Sequence, residues 1–465
     1  DGTIGETRQL TDVSRDHAAL LWSPDGRKLG TIRKSRIGLQ RQLVIIDIES
    51  GAETAVSSTD RVVSAWIWAS DGSGIVMFYS PHPEIDGDFF LIDLETVSER
   101  QLTDGIQWSL DHSRTSMAWI DATHLIVSGY ERARSGLCVL DIESGHLELV
   151  RLDDAFNVGI SASTGASTIV QQHNSANATA ELIAIDLGTM SQTCLTHLND
   201  RLYATRFPGT IDEFITDHEG HPVSWLLKRP HTFDAGKRYL VVFEIHGGPH
   251  IFRGFDIEVS NQLLLDARYL VICPNPRESV SFGRDYAKAV VGDWGGGDWR
   301  DILAFADAVS ALPFVDGNRI GIYGYSYGGY MASWAIGQTD RFRAAVIDAP
   351  ITDLIARDGT SDIGFAAPKL EYGGEFPELY DRLVAQSPVT HVHNAVTPRL
   401  ILHPEDDQRC PIGQSERLFV GLRRAGVETT FVRYPGSSHL MPWYGPPEYR
   451  IDYYTRIVDW FDRHM

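Results

Sequence analysis

A short motif occurs four times in the first half of the chain, and it limits the fold more than any other feature. Ile46-Asp47-Ile48-Glu49-Ser50-Gly51 is followed by Ile92-Asp93-Leu94-Glu95, by Leu140-Asp141-Ile142-Glu143-Ser144-Gly145 and by Ile185-Asp186-Leu187-Gly188. The aspartates lie 46, 48 and 45 residues apart. Each motif follows an apolar stretch of strand length and leads into a second strand, which ends in Leu-Thr at Leu102-Thr103 and Leu195-Thr196. That is the pattern of an antiparallel hairpin with a polar turn. Half a period earlier, Trp22-Ser23-Pro24-Asp25-Gly26 and Trp68-Ala69-Ser70-Asp71-Gly72 predict a second hairpin, because Asp-Gly supplies the positive φ that tight turns need. Two hairpins per period make a four-stranded blade, and blades in series make a β-propeller. A β-sandwich with chance similarity is the competing fold, and regular spacing over four copies argues against it.

Asp1–Thr11 matches the end of a repeat, so the chain opens in mid-blade, and with Asp1 rather than a methionine. The expectation is either a longer propeller of which this is a fragment, or a first strand that completes the last blade and closes the ring. Four to five blades fit before residue 210, whereas seven would need roughly 320 residues.

The period stops near residues 205–220. Short apolar runs of buried-strand type then alternate with helical patterns: Val223–Leu227, Tyr239–Ile245, Tyr269–Cys273, Ile320–Tyr323, Ala344–Ile347 and Arg399–His403 against Trp299–Leu312, Gly328–Gly337 and Ile412–Ala425. This alternation predicts a mostly parallel sheet covered on both faces. The expected domains are a propeller over 1–210 and an α/β-hydrolase over 211–465.

Gly324-Tyr325-Ser326-Tyr327-Gly328 stands between a predicted strand and a predicted helix, the setting a G-x-S-x-G nucleophile elbow requires. A serine alcohol needs a base, and in this arrangement the acid and then the histidine follow the serine. Asp407 lies just after the strand Arg399–His403, and His439 just after Thr429–Tyr434. Both loops sit at the carboxyl ends of their strands, where open α/β sheets place their sites. Asp406 is the rival acid. The oxyanion hole needs two backbone donors: the N–H of Tyr327, next to the nucleophile, and one from His246-Gly247-Gly248-Pro249, assigned to Gly248. His246 and His250 offer imidazoles for a metal, but no third ligand has suitable spacing. Asp298 reads as a helix N-cap with Asp301 at the capping-box position, in preference to a cation site with Asp293.

These residues resemble the prolyl oligopeptidase family of serine peptidases, and within it the acylaminoacyl-peptidase-like branch. The likeness rests on the order propeller then hydrolase, and on His246–Pro249, Asn275-Pro276-Arg277, Gly292-Asp293-Trp294-Gly295-Gly296-Gly297-Asp298, Ser326–Tyr330, Asp340-Arg341-Phe342, Gly359–Gly364 and Arg409-Cys410-Pro411. It implies a peptidase that cleaves short peptides through an acyl-enzyme, with the propeller restricting access. It also selects Asp407, two residues before Arg409, as the acid, and implies that Arg409 binds a substrate carbonyl; the alternative is a surface arginine paired with the acidic loop. Phe365 is expected either in an apolar substrate pocket or in the core. The chain departs from the family pattern at Glu278, Pro404 and Ser438. Glu278, where the family usually has glycine, is expected either to select a positive substrate group or to be solvated.

Composition narrows the partners. The net charge of −21 repels nucleic-acid backbones and anionic membranes, and no apolar run reaches the ~18 residues of a membrane span. Cys138, Cys194, Cys273 and Cys410 have neither paired nor metal-type spacing and read as reduced, buried thiols of a cytoplasmic protein; a removed signal peptide stays open, the N-terminus not being in view. No cofactor and no metal are expected. Exposed blade edges would favour a homo-oligomer. An esterase, a dipeptidyl-, amino- or carboxypeptidase, and a propeller interaction protein with an inactive hydrolase are the other readings.

Overall fold

The computed structural model describes residues 7–465 except 12–15, 35–40, 59–61, 81, 83–84, 112–115, 164, 166 and 207–208, with backbone alone at 204–206. Four antiparallel sheets follow one another along the first half. The first pairs His17–Trp22, Lys28–Lys34, Arg41–Asp47 and Glu53–Ala55 in chain order, and the second pairs Val62–Trp68, Gly74–Ser80, Asp88–Asp93 and Ser98–Gln101. The third runs from Met117–Trp119 to Leu147–Asp153, with the short strand Ser109–Leu110 added beside its second strand, and the fourth runs from Val158–Ser161 to Gln192–Cys194. These are four propeller blades. Of the expected opening strand, residues 1–6 lie outside the described residues and 7–11 belong to no strand.

The repeated aspartate has a physical reason. Asp47, Asp93 and Asp186 each accept two hydrogen bonds from the Ser or Thr three residues on, one from its N–H and one from its hydroxyl, at 2.7–2.8 Å. Asp141 does the same through Ser144 and the N–H of Glu143. The carboxylate thus ties off the outer hairpin turn that Gly or Thr completes. A second repeat joins neighbouring blades. The Trp68 indole donates to the Leu21 carbonyl at 3.1 Å, and the equivalent Trp119 donates to the Trp68 carbonyl at 2.7 Å.

The second half contains one eight-stranded sheet. Its order is Thr210–His218, His221–Arg229, Leu270–Asn275, Tyr239–Ile245, Val315–Tyr325, Ala344–Asp348, Arg399–Pro404, Thr429–Tyr434. The first two strands are antiparallel to their neighbours, and the other six run parallel. Helices cover both faces. The helices Gly297–Ser310 and Tyr327–Gln338 enclose the larger core, around Phe243, Ile322 and Met331; Pro447–His464 packs on the other face through Tyr453, Ile457 and Phe461. Strands buried on both faces explain why the sequence reads as continuous apolar runs here.

Two expectations are corrected. Asp298 is not an N-cap: the helix starts at Gly297, and it is Asp293 that accepts from the Gly297 N–H at 2.8 Å. Cys194 is exposed, because it lies on the outer strand of the fourth blade; Cys138, Cys273 and Cys410 are buried, and all four thiols are free.

The two halves meet around residues 250–254 and 280–287. Phe252 packs on Tyr130 and Phe156 of the propeller, with centroids at 5.0 and 5.7 Å. Ser281 accepts from Arg132 and Ala133 and donates its N–H to Ser109. Arg284 reaches into the second blade, donating to the Asp86 carbonyl at 3.0 Å and the Asp88 carboxylate at 2.6 Å. Arg284→Ala removes two charge-assisted hydrogen bonds from a largely buried carboxylate and carbonyl. We expect it to lower stability by about 2 kcal/mol, read as a drop in the urea midpoint; an unchanged midpoint would mean that the interface is not held there.

Candidate active site

Ser326 sits where the strand Val315–Tyr325 turns into the helix Tyr327–Gln338. Its backbone has φ +60° and ψ −116°, outside the regions an L-residue prefers, and its N–H is held by the Asp348 carbonyl at 3.0 Å. Such strain persists only where the surroundings impose it. Here they do. A Cβ on Gly324 would lie 2.1 Å from the Gly328 carbonyl oxygen, and one on Gly328 would lie 2.1 Å from that of Ile245. The two glycines let helix and strand approach closely enough to lift Ser326 out of the sheet edge.

The loops after the last two strands converge on it. His439 Nε2 is 3.2 Å from Ser326 Oγ, and His439 Nδ1 donates to Asp407 Oδ2 at 2.6 Å. The other Asp407 oxygen accepts from the N–H groups of Arg409 and Cys410 at 2.9 and 2.8 Å. Burial raises the Asp407 pKa, yet hydrogen bonds from His403 and His439 outweigh it and hold the group at about 2. Asp407 is therefore a carboxylate at any physiological pH, able to fix the imidazole tautomer and stabilise its cation. Asp406 points outward, exposed. Tyr325 and Trp443 meet edge to face beside the site, the Tyr325 ring lying 5.0 Å from that of His439.

Ser326 and His439 open into a cavity of about 240 Å³ whose wall includes Gly247, Gly248, Arg409 and Trp443. Gly248 has φ +114°, which only glycine adopts readily, and the Tyr327 N–H heads the helix beside the serine. Arg409 reaches the cavity but is also paired with Asp362 at 2.8 and 3.2 Å. Phe365 fits neither expectation: it is 77% exposed, in a short 3₁₀ turn, and the apolar wall comes from Ile351, Ile363 and Ala367. Two charged residues of this wall, Arg357 and Glu371, escaped the sequence reading. Both are buried; Arg357 donates to the Tyr372 hydroxyl at 2.9 Å. Nothing in the local sequence distinguishes them from surface charges.

Glu278 also departs from both readings. It is fully buried, neither solvated nor in the cavity wall, and neither carboxyl oxygen makes a hydrogen bond among the described residues. It lies behind the elbow, 3.9 Å from His246 Nε2 and close to the Tyr327 hydroxyl, which donates to the equally buried Asp298. Burial, with Asp298 nearby, pushes the Glu278 pKa well above the ordinary carboxyl value, and burial likewise moves Asp298 up to about 6. His246 is held neutral, burial moving it down to about 4, with Nδ1 bonded to the Gly247 carbonyl and Nε2 3.0 Å from Ser279 Oγ. His250 faces elsewhere, towards His82 and Glu371.

Residues 255–465 match the prolyl oligopeptidase family. That stretch is a domain of the family. An uncharacterised peptidase of Bacillus subtilis, YuxL, is 34% identical over 349 residues, which is 74% of this chain and 52% of the relative. Dipeptidyl-peptidase 5 of Porphyromonas gingivalis is 28% identical over the whole chain and 61% of its own length. The chain thus spans between half and two thirds of these curated relatives. Among solved structures, acylaminoacyl peptidase of Pyrococcus horikoshii superposes with a TM-score of 0.82 at 21% identity, over 97% of this chain and 71% of that one. A puromycin-hydrolysing peptidase of Mycobacterium tuberculosis gives 0.80 at 20%, over 98% and 71%. Propeller followed by α/β-hydrolase is the shared fold.

Within this prolyl oligopeptidase domain the buried acids carry a pH signature. Folded Glu278 keeps its proton where the unfolded chain, near its ordinary 4.5, has lost it. Stability from this group is complete below that value and declines as pH rises. As pH rises above about 5 the parent protein should lose stability relative to Glu278→Gln, by up to about 1.4 kcal/mol per pH unit, measured by urea denaturation. Parallel pH profiles would show that Glu278 ionises in the fold.

Proposed function

We propose that the protein is a serine peptidase that hydrolyses short peptides through an acyl-enzyme. The observation that carries this reading is the hydrogen-bonded line Asp407–His439–Ser326 opening into one cavity. Ser326 Oγ attacks the scissile carbonyl carbon while His439 Nε2 takes its proton. The tetrahedral oxyanion is held by the N–H groups of Tyr327 and Gly248. His439 then returns the proton to the leaving amine, and water repeats the sequence to release the acid. Asp407 keeps Nδ1 protonated and offsets the imidazolium charge. Arg409 takes a substrate carbonyl at the cavity rim, giving up part of its pairing with Asp362.

The preference for short peptides follows from the wall. Ile251 and Arg253 line the cavity, and Phe252 between them is packed against the propeller. The propeller therefore stands beside the entrance, where it excludes folded chains. We divide the chain into a propeller domain over 1–210 and an α/β-hydrolase domain over 211–465. Among the described residues no helix is long and apolar enough to cross a membrane. With four free thiols we place the protein in a reducing, cytoplasmic setting, with homo-oligomers formed through blade edges.

Ser326→Ala should abolish peptide hydrolysis, and Asp407→Asn should lower kcat by about 10⁴-fold with little change in KM. Mass spectrometry of a peptide library with free and acetylated amino ends should show cleavage of short members, blocked ones included. Turnover of p-nitrophenyl esters with every peptide left intact would replace this reading with that of an esterase.

A further inference from the structure

His246 and His250 lack a third ligand in the sequence, but the fold supplies one set for His250. Its Nε2 lies 3.6 Å from Glu371 Oε2, and Nε2 of His82, from the second blade, lies 3.8 Å from Glu371 Oε1. The three ligand atoms fall within 4.8 Å of one another, and all three residues are buried. The two imidazoles meet edge to face with centroids 4.9 Å apart. We propose that His82, His250 and Glu371 bind one divalent first-row cation, zinc by the character of the ligands, at the seam between propeller and hydrolase.

Three features support a cation rather than packing alone. His250 Nδ1 is 3.2 Å from the Glu278 carbonyl oxygen, so Nδ1 carries the proton and Nε2 presents its lone pair to the cluster. This outer contact is the one that orients metal-bound imidazoles. Glu371 Oε2 is buried without a hydrogen bond among the described residues, and a buried carboxylate oxygen without a partner is costly. The donor set, two imidazole nitrogens and one carboxylate, suits zinc. Tetrahedral zinc with ligand bonds of about 2.0–2.2 Å places its ligand atoms roughly 3.3 Å apart, so the cluster, whose ligand atoms lie within 4.8 Å of one another, would close in on the ion as it binds.

The three ligands come from a propeller loop, from the loop after strand Tyr239–Ile245, and from the residue following the helix Ala367–Leu370. Glu371 alone of the three lines the active-site cavity, so a fourth ligand, water or a polar substrate group, would enter from that side. The cation would fasten the propeller to the hydrolase at the cavity wall.

The test is titration of zinc chloride into tag-free, EDTA-stripped protein by calorimetry, with thermal unfolding followed in parallel. The proposal predicts one tight equivalent and a higher unfolding temperature with zinc. Glu371→Gln keeps the side chain's shape and should weaken zinc binding by roughly 100-fold or more, beyond what outer contacts alone cost; His82→Ala should do the same. His393→Ala, away from the cluster, should bind as the parent does. Circular dichroism of each variant establishes that it is folded. No stoichiometric uptake by the stripped parent protein, or unchanged affinity in folded Glu371→Gln, would overturn the proposal.

Discussion

The strained turn at Ser326 is the constraint on which the rest of the hydrolase depends. A serine at φ +60° survives only if strand and helix are pressed together, and that closeness requires two positions without a Cβ, Gly324 and Gly328. The same closeness starts the helix Tyr327–Gln338 immediately after Ser326. The Ser326 N–H is bound by the Asp348 carbonyl of the neighbouring strand, so the elbow is anchored in the sheet. The parallel order of the sheet then brings the ends of Arg399–Pro404 and Thr429–Tyr434 to the same edge, with Asp407 and His439 on the loops that follow.

Beneath the elbow the structure is unusually acidic for a buried region. Glu278, Asp298 and the Tyr327 hydroxyl sit together, with neutral His246 alongside. Tyr327 joins the two layers: it follows the serine in the chain, and its hydroxyl ends in this acidic pocket. Burial, with Asp298 nearby, favours the neutral form of Glu278 by pushing its pKa well above the ordinary carboxyl value. The position is thus neither solvated nor in the cavity wall; it packs beneath the elbow, close to the Tyr327 hydroxyl.

The legible parts of this protein are those governed by local chemistry. The blade repeat could be read because one aspartate must cap each outer turn, and the elbow because a positive φ and close approach demand glycines at fixed offsets. The strand Tyr239–Ile245 was legible to the residue, since a strand buried on both faces is a continuous apolar run. What escaped was set by contacts between distant segments. Glu278 and Glu371 look like loop carboxylates until the fold buries them, and Arg409 meets Asp362 across 47 residues. Phe365 illustrates the converse: an apolar residue in a plausible place turned outward because Ile363 and Ala367 already line the wall. His82 could not be grouped with His250 from sequence, as they lie in different domains.

The most direct test of the account is active-site titration with a fluorophosphonate, followed by peptide mapping of the labelled protein. The geometry of Ser326, His439 and Asp407 predicts one equivalent of label, located on Ser326, with a labelling rate that falls sharply in His439→Ala. Label on another serine, or none at all on folded protein, would contradict it.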